Sequence, residues 1–278
     1  MRNPEKSNSL KVPGATLYYE IRGSGPVLLL IPGGPTDAGI FAGLAACLAD
    51  HYTVVAYDVR GNSRSTFDGA PHEQDIDVHG DDAARLIEKI GDEPAFVFGS
   101  SGGAQIGLDL AARHPARVRA LLAHEPPCVQ LLPDAVAVRA QTEAIHAVFR
   151  REGVEPAMQM FAQLAGMGGG PQPPRASREE DSASEMSARI GANMDYFFAH
   201  GLRPISFYMP DVSALGVFTR VAVGVGEDSV GQLAYRSAIA LAEKLGSAPV
   251  VFPGGHGGYG DHPAAFAQAL HRFFGGGR

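Results

Sequence analysis

The stretch Phe96-Val97-Phe98-Gly99-Ser100-Ser101-Gly102-Gly103-Ala104 decides the fold, because small residues in it join an apolar segment to an amphipathic one. The apolar part predicts a buried strand, and the part that follows, with Ile106 and Leu110 directed inward, predicts a helix. A serine in the frame G-x-S-x-G between a strand and a helix is typical of a strained turn that exposes the serine Oγ. Ser101 is therefore the candidate nucleophile.

The same turn directs the amino end of the predicted helix at the space in front of the serine. Backbone N–H groups there lack helical partners, so the N–H of Gly102 can bind an oxyanion. A second donor is expected in Leu30-Ile31-Pro32-Gly33-Gly34-Pro35, where backbone without bulky side chains follows an early strand. The N–H of Gly34 is the candidate, and the alternative is an ordinary turn that ends a strand.

Strand and helix patterns alternate around this stretch. Such alternation predicts a mostly parallel sheet flanked by helices. Strands are predicted at 27–31, 53–57, 118–123, 221–225 and 250–252, after an antiparallel hairpin at 9–12 and 16–21. Helices are predicted at 38–49, 78–90, 232–245 and 263–274. The sequence therefore belongs to the α/β class.

The alternation stops between residues 128 and 211. Helical patterns take its place at 135–150, 155–165 and 179–198, and a glycine- and proline-rich loop interrupts them at 167–174. A helical insertion between two strands predicts a lid over the carboxyl edge of the sheet, where such sheets bind ligands. The predicted organisation is a core domain of residues 1–127 and 212–278 with a lid domain of residues 128–211.

The lid is rich in flexible and aromatic apolar side chains. Most of them are expected in the lid's own core, and some are expected to line an adaptable apolar pocket. The candidates are Met158, Met160, Phe161, Met167, Met186, Met194, Tyr196, Phe197, Phe198, Phe207, Tyr208 and Met209.

Composition and charge restrict the classes of partner that the protein is expected to bind. The net charge of -7 disfavours a nucleic-acid surface. Residues 1–10 are polar, and the apolar run 27–31 is too short to span a bilayer, so we expect a cytoplasmic protein without a membrane partner. Cys47 and Cys128 lack the spacing of a disulfide framework or a zinc site, and neither a metal nor a cofactor is predicted. A homodimer is left open.

A histidine between glycines follows the last predicted strand, in Phe252-Pro253-Gly254-Gly255-His256-Gly257-Gly258-Tyr259. Imidazole has the proton affinity to take a proton from serine and return it to a leaving group. A serine followed late in the chain by a histidine is also the order found with nucleophile elbows. His256 is the candidate general base, and the alternative is a loop histidine without a catalytic role.

The acid that would hold this histidine has two candidate positions. One is the loop after the first strand beyond the lid, where Glu227 and Asp228 are adjacent and polar and could equally be solvated or cap a helix. The other is Ala123-His124-Glu125-Pro126-Pro127, which ends the strand before the lid. Glu125 has apolar surroundings, where a carboxylate is costly without a partner, so we favour it and keep the other two as alternatives.

These motifs resemble those of the α/β-hydrolase superfamily over nearly the whole chain. The resemblance rests on Pro32-Gly33-Gly34-Pro35, Tyr57-Asp58-Val59-Arg60-Gly61-Asn62-Ser63-Arg64-Ser65, Gly99-Ser100-Ser101-Gly102-Gly103 and Gly255-His256. More closely, the chain is similar to serine hydrolases related to zearalenone lactonase, through Tyr18-Tyr19-Glu20, His124-Glu125-Pro126-Pro127 and Pro253-Gly254-Gly255-His256.

The resemblance implies an α/β-hydrolase fold with a helical lid between strands. It also implies a triad of Ser101, Glu125 and His256, with Gly34 and Gly102 as oxyanion donors. The implied activity is hydrolysis of a carboxylic ester or lactone of a small apolar substrate. The chain has no tryptophan, whereas the lid of the lactonase contributes one, so the natural substrate is left open.

Two alternatives of different kinds accompany this prediction. The first is a proline iminopeptidase-like or C–C bond hydrolase; a peptidase would need acidic lid residues in the pocket to bind an ammonium group. Glu179, Glu180 and Glu185 are the candidates for that role. The second is a non-catalytic small-molecule receptor, because a fold does not determine its function.

Overall fold

Strand formation follows the predicted apolar segments. The computed structural model describes residues 6–166, 180–217 and 220–275. Its strands are β1 (Lys6–Val12), β2 (Ala15–Gly23), β3 (Val27–Ile31), β4 (Thr53–Tyr57), β5 (Thr66–Phe67), β6 (Ala95–Ser100), β7 (Val118–His124), β8 (Val221–Gly226) and β9 (Val250–Phe252). β6 is buried along its whole length, as expected of a central strand with both faces covered.

The strands form one sheet in the order β1-β2-β4-β3-β6-β7-β8-β9, with β5 beside β2. The pairs that involve β2 are antiparallel, and every pair from β4 to β9 is parallel. Ser100 pairs with His124, and Gly226 pairs with Phe252, so the loops after these strands emerge at one edge. The predicted α/β class, with its mostly parallel sheet, is confirmed.

Helices cover both faces of the sheet. They are α1 (Ala42–Leu48), α2 (Ile76–Ile90), α3 (Gly102–Arg113), α4 (Ala135–Glu152), α5 (Val154–Ala165), α6 (Glu180–Tyr196), α7 (Leu202–Phe207), α8 (Val212–Val217), α9 (Leu233–Lys244), α10 (Gly258–Asp261) and α11 (Pro263–Gly275). Alternate residues of β3 face opposite cores. Leu29 and Ile31 pack with α2, α3 and α9, whereas Leu28 and Leu30 pack with α1 and α11.

The helices α4 to α7 lie within the predicted lid, between β7 and β8. The predicted loop at 167–174 lies outside the described residues. Three short helices, α7, α8 and α10, were not predicted, because four to six residues are too few to display a helical period. α8 begins directly after residue 211 and packs against α3, and the domain boundaries stay a prediction.

The start of the first predicted helix differs from the expectation. Residues Ala38–Phe41 form a 3-10 turn before α1 begins: the Ile40 N–H donates to the Asp37 carbonyl, three residues earlier, at 3.2 Å, and the Asp37 carboxylate caps the turn by accepting the N–H of Gly39 at 2.9 Å. In the part of the chain that the structure describes, no helix has the length and hydropathy needed to cross a membrane.

Candidate active site

Ser101 occupies the turn between β6 and α3. Its φ of 56° and ψ of -127° are rare for a residue with a side chain. Two backbone hydrogen bonds hold this conformation: the Ser101 N–H donates to the His124 carbonyl at 2.9 Å, and the Ser101 carbonyl accepts the Ala104 N–H at 2.9 Å. Strain that is overdetermined in this way is typical of functional turns.

The loop after β3 packs directly against this turn. A Cβ built on Gly33 would lie 2.7 Å from Ser101 Cβ, and one built on Gly102 would lie 3.4 Å from the Gly34 nitrogen. Gly34 has a φ of +55°, a conformation that favours glycine. The two predicted oxyanion donors are therefore neighbours beside the serine.

Thr36 orients one of these donors. Its N–H and its Oγ1 both donate to the Gly33 carbonyl, at 3.2 Å and 2.5 Å. The C=O and N–H of a trans peptide point in opposite directions, so the Gly34 N–H is directed away from Thr36. These two hydrogen bonds therefore fix the plane of the peptide that carries the Gly34 N–H.

Glu125 and His256 are in direct contact. Glu125 Oε2 lies 2.6 Å from His256 Nδ1, and Glu125 Oε1 accepts the Gly226 N–H at 2.9 Å. Glu125 is fully buried, with a positive φ of 46° directly after β7, and its N–H donates to the Gly224 carbonyl. Burial raises the pKa of the Glu125 carboxyl, but the hydrogen bond and charge of His256 outweigh burial, so that this pKa falls below its usual value.

Glu227 and Asp228, the alternative acids, have a different setting. Both are exposed in the loop after β8. Glu227 Oε1 accepts the Gly254 N–H at 3.4 Å, and the Asp228 N–H donates to the Gly254 carbonyl at 3.1 Å. Among the described residues, His256 Nδ1 has its carboxylate contact with Glu125 and not with either of these side chains.

His124 supports the site from below. It is fully buried, and its ring lies 5.3 Å from the ring of Phe266 and 6.4 Å from that of His256. Within the described structure neither ring nitrogen of His124 has a hydrogen-bond partner. Burial, with a smaller contribution from His256 and against Glu125, lowers the pKa of His124 to about 3, so the ring is neutral at neutral pH.

Ser101 and His256 open into one cavity of about 280 Å³ between the sheet edge and the lid. No hydrogen bond joins their side chains in the described structure; in unliganded enzymes such bonds often tighten only when substrate binds. Four predicted pocket candidates are in the wall: Met158, Phe161, Met194 and Phe197. Met167 lies outside the described residues. The described wall contains no Asp, Glu, Lys or Arg.

The residues that hold the loop after β3 in place were not predicted from the sequence. Asn62 Nδ2 donates to the carbonyls of Gly34, at 2.9 Å, and Thr36, at 3.1 Å. Asn193, on α6, donates to the Pro35 carbonyl at 2.7 Å. Thr36 and Asn62 adjoin or lie within quoted motifs and could have been suspected, whereas no pattern in the sequence points to Asn193.

Comparisons with known proteins agree with this architecture. The family model described as alpha/beta hydrolase fold matches residues 26–164. The chain is 37% identical over 270 residues to the uncharacterized hydrolase YraK of Bacillus subtilis (strain 168), covering 95% of this chain and 94% of that protein. It is 36% identical over 127 residues to a zearalenone hydrolase of Cladophialophora bantiana, covering 44% of this chain and 47% of that protein.

A solved structure shows the same fold. The hydrolase from Pseudomonas aeruginosa PA01 matches with a TM-score of 0.74 at 23% identity, covering 97% of this chain and 98% of that chain. Together with the family model and the relative that spans nearly the whole chain, this likeness confirms the resemblance inferred from the motifs. The chain belongs to the alpha/beta hydrolase fold family and is a hydrolase of that family.

Proposed function

We propose that this hydrolase cleaves a carboxylic ester or lactone of a small, uncharged, apolar substrate through Ser101, His256 and Glu125. The observation that best supports this proposal is the 2.6 Å contact between His256 Nδ1 and Glu125 Oε2. His256 lines the same cavity as Ser101, whose backbone is strained. Because Nδ1 is engaged by the carboxylate, Nε2 is the nitrogen left to accept the serine proton.

The proposed reaction has two halves. Ser101 Oγ attacks the carbonyl carbon while His256 takes its proton, and the N–H groups of Gly34 and Gly102 bind the developing oxyanion. The tetrahedral intermediate expels the alkoxide, which receives the proton from His256, and an acyl-serine remains. Water, deprotonated by His256, then attacks the carbonyl of the acyl-serine. The second tetrahedral intermediate expels the Ser101 oxygen, which takes the proton back from His256, and the carboxylic acid is released. Glu125 keeps its charge throughout and stabilises the imidazolium.

The cavity wall supports an uncharged substrate. A buried charge without a partner is strongly unfavourable, and the described wall offers no ionic partner apart from His256. The partial relationship to a zearalenone hydrolase supports a lactone as one member of this class. The flexible side chains of Met158 and Met194 would let the wall adapt to ligands of different outline.

The peptidase alternative receives less support from the wall. A peptidase that binds a free amino terminus needs a carboxylate near the reacting carbonyl, and Glu185 is exposed away from the described cavity wall. Glu179 lies outside the described residues, as does the side chain of Glu180. No specific observation favours C–C bond cleavage, and the receptor alternative gives no use to a buried carboxylate paired with His256.

A panel of three substrates tests the proposal. A short p-nitrophenyl ester, zearalenone and an amino-acid p-nitroanilide are incubated with the wild type and with Ser101→Ala, and both proteins are also treated with a fluorophosphonate. We expect ester cleavage and fluorophosphonate labelling in the wild type only. Cleavage of the anilide alone would favour the peptidase, and a wild type that neither cleaves nor labels would favour the receptor.

A further inference from the structure

A lid residue holds the loop that carries the Gly34 amide. Asn193, near the end of α6, is only 5% exposed and donates from Nδ2 to the Pro35 carbonyl at 2.7 Å. The same amide group donates to Ser63 Oγ at 2.9 Å and accepts the Ser63 N–H on Oδ1 at 2.8 Å. Because the Ser63 N–H requires an acceptor, these contacts fix which end of the Asn193 amide faces Pro35.

Asn62, Ser63 and Asn193 together hold two successive carbonyls of the loop after β3. Ser63 follows Asn62, whose side chain donates to the Gly34 carbonyl at 2.9 Å. The Asn193 side chain bonds both to Ser63 and to the Pro35 carbonyl, which is the next carbonyl along the loop. The peptide planes on both sides of Pro35 are thus fixed, one from the core and one from the lid.

We propose that Asn193 is a positioning residue that, from the lid helix α6, aligns the Gly34 N–H for the oxyanion through its bonds to Pro35 and Ser63. This inference rests on the proposed function, because it assigns Asn193 to the acyl-transfer step. Loss of Asn193 leaves the Pro35 carbonyl and the Ser63 N–H without their partner, so the loop rearranges to find others. A shift of about 1 Å at an oxyanion donor is enough to slow a reaction by about 100-fold.

A second contact of α6 supplies a matched control. Arg189 Nε donates to the buried carboxylate of Asp37 at 2.7 Å, one helical turn before Asn193. This ion pair also fastens α6 to the core, but it makes no bond to Pro35 or Ser63. Substitution of Arg189 therefore removes a contact between α6 and the core without removing a bond to Pro35 or Ser63.

The experiment compares Asn193→Ala, Asn193→Asp and Arg189→Ala with the wild type. Asn193→Asp keeps an oxygen for the Ser63 N–H but replaces the donor toward Pro35 with an acceptor. For each variant, the rate of fluorophosphonate labelling, kcat and KM for a short p-nitrophenyl ester, and Tm are measured. All rates are taken at a temperature well below the lowest Tm, and Asn193→Asp carries the test if the alanine variant does not fold.

We expect labelling rate and kcat to fall about 10- to 100-fold in both Asn193 variants, with KM within about threefold. Arg189→Ala should lower Tm and keep both rates within about threefold. A wild-type labelling rate in Asn193→Asp, or an equal loss of rate in Arg189→Ala, would overturn the assignment of Asn193 and leave the proposed function standing. Absence of labelling in the wild type would overturn the proposed function and this inference with it.

Discussion

The carboxyl edge of the sheet and the lid meet at one cavity, but different forces hold them there. At the edge, backbone hydrogen bonds and buried polar contacts set the positions of Ser101 and Glu125. In the lid wall, aromatic packing dominates, as between Phe161 and Phe197, whose ring centroids are 5.7 Å apart at 76°. Hydrogen bonds are directional and dispersion is not. The geometry of the edge therefore tolerates few substitutions, whereas side chains of the lid wall can be replaced by other apolar side chains.

This difference separates the reaction from the choice of substrate. The atoms that would perform the chemistry depend on the backbone of β6, β7 and the loop after β9, which the sheet core fixes on both faces. The atoms that would contact the bulk of the substrate are lid side chains with several rotamers each. Changes at the edge should therefore act on kcat, and changes in the wall should act on specificity.

The largest effect is expected at the serine. Ser101→Ala should lower kcat by at least about 10⁴-fold, because no other group can form the acyl intermediate. Ser100→Ala is the matched control: Ser100 is buried at the end of β6 and is not part of the cavity wall, so its loss should change kcat by less than about threefold. Initial rates on a short p-nitrophenyl ester give both values. A loss for Ser100→Ala as large as that expected for Ser101→Ala would contradict the assignment of Ser101 as the nucleophile.

The acid gives the next effect. Glu125→Gln keeps the shape of the side chain but removes the charge that favours the imidazolium, and kcat should fall by about 10³- to 10⁴-fold. Asp228→Asn changes an exposed carboxylate without a bond to His256 and should stay within about twofold of the wild type. Single-turnover rates for the two variants decide between them. Equal losses would contradict the assignment of Glu125.

Much of the edge could be predicted from the sequence, because each part is a short segment with its own stereochemical demand. The small residues around Ser101 predicted a strained turn, and the structure places that serine at a positive φ. The apolar setting of Glu125 predicted a partner for its carboxylate, and the structure pairs it with His256. Such local rules need no knowledge of distant residues.

The lid was less predictable, since its positions depend on long-range packing. The short helices α7 and α8 carry no pattern long enough to stand out from loop sequence. Asn193 binds residues about 130 and 158 positions earlier in the chain, and nothing near it indicates those partners. The Thr36 N–H donates to a residue close in sequence, the Gly33 carbonyl. This backbone bond depends on the conformation of the loop rather than on residue type, so the sequence does not indicate it either.

A smaller effect is expected in the lid wall. Phe161→Ala removes an aromatic ring from the cavity and should lower kcat/KM for a bulky aromatic ester by about 10- to 100-fold. The same variant should change kcat/KM for an acetyl ester by less than about threefold, because a small substrate does not reach that wall. Met209→Ala, on an exposed lid side chain outside the wall, is the control for both esters. Equal losses on the two esters would mean that the lid also sets the reacting geometry.

The last prediction concerns stability rather than rate, and it involves His124, which is fully buried at the end of β7. The pKa of His124 falls to about 3 in the folded chain, against about 6.5 for an unfolded histidine. Between these values the unfolded chain binds a proton that the folded chain refuses, so the free energy of unfolding falls as the pH falls. His124 should contribute up to about 1.4 kcal/mol per pH unit to this slope.

His124→Phe keeps an aromatic ring among Phe98, Phe252 and Phe266 and removes the titration. Denaturant unfolding between pH 4.5 and 7 should therefore show a shallower pH dependence in the variant. The slope that remains combines buried His79, whose pKa falls to about 4 and which acts in the same direction, with Asp109, whose pKa burial raises to about 7 and which acts in the opposite direction. An unchanged slope in His124→Phe would contradict the lowered pKa of His124 in the folded chain.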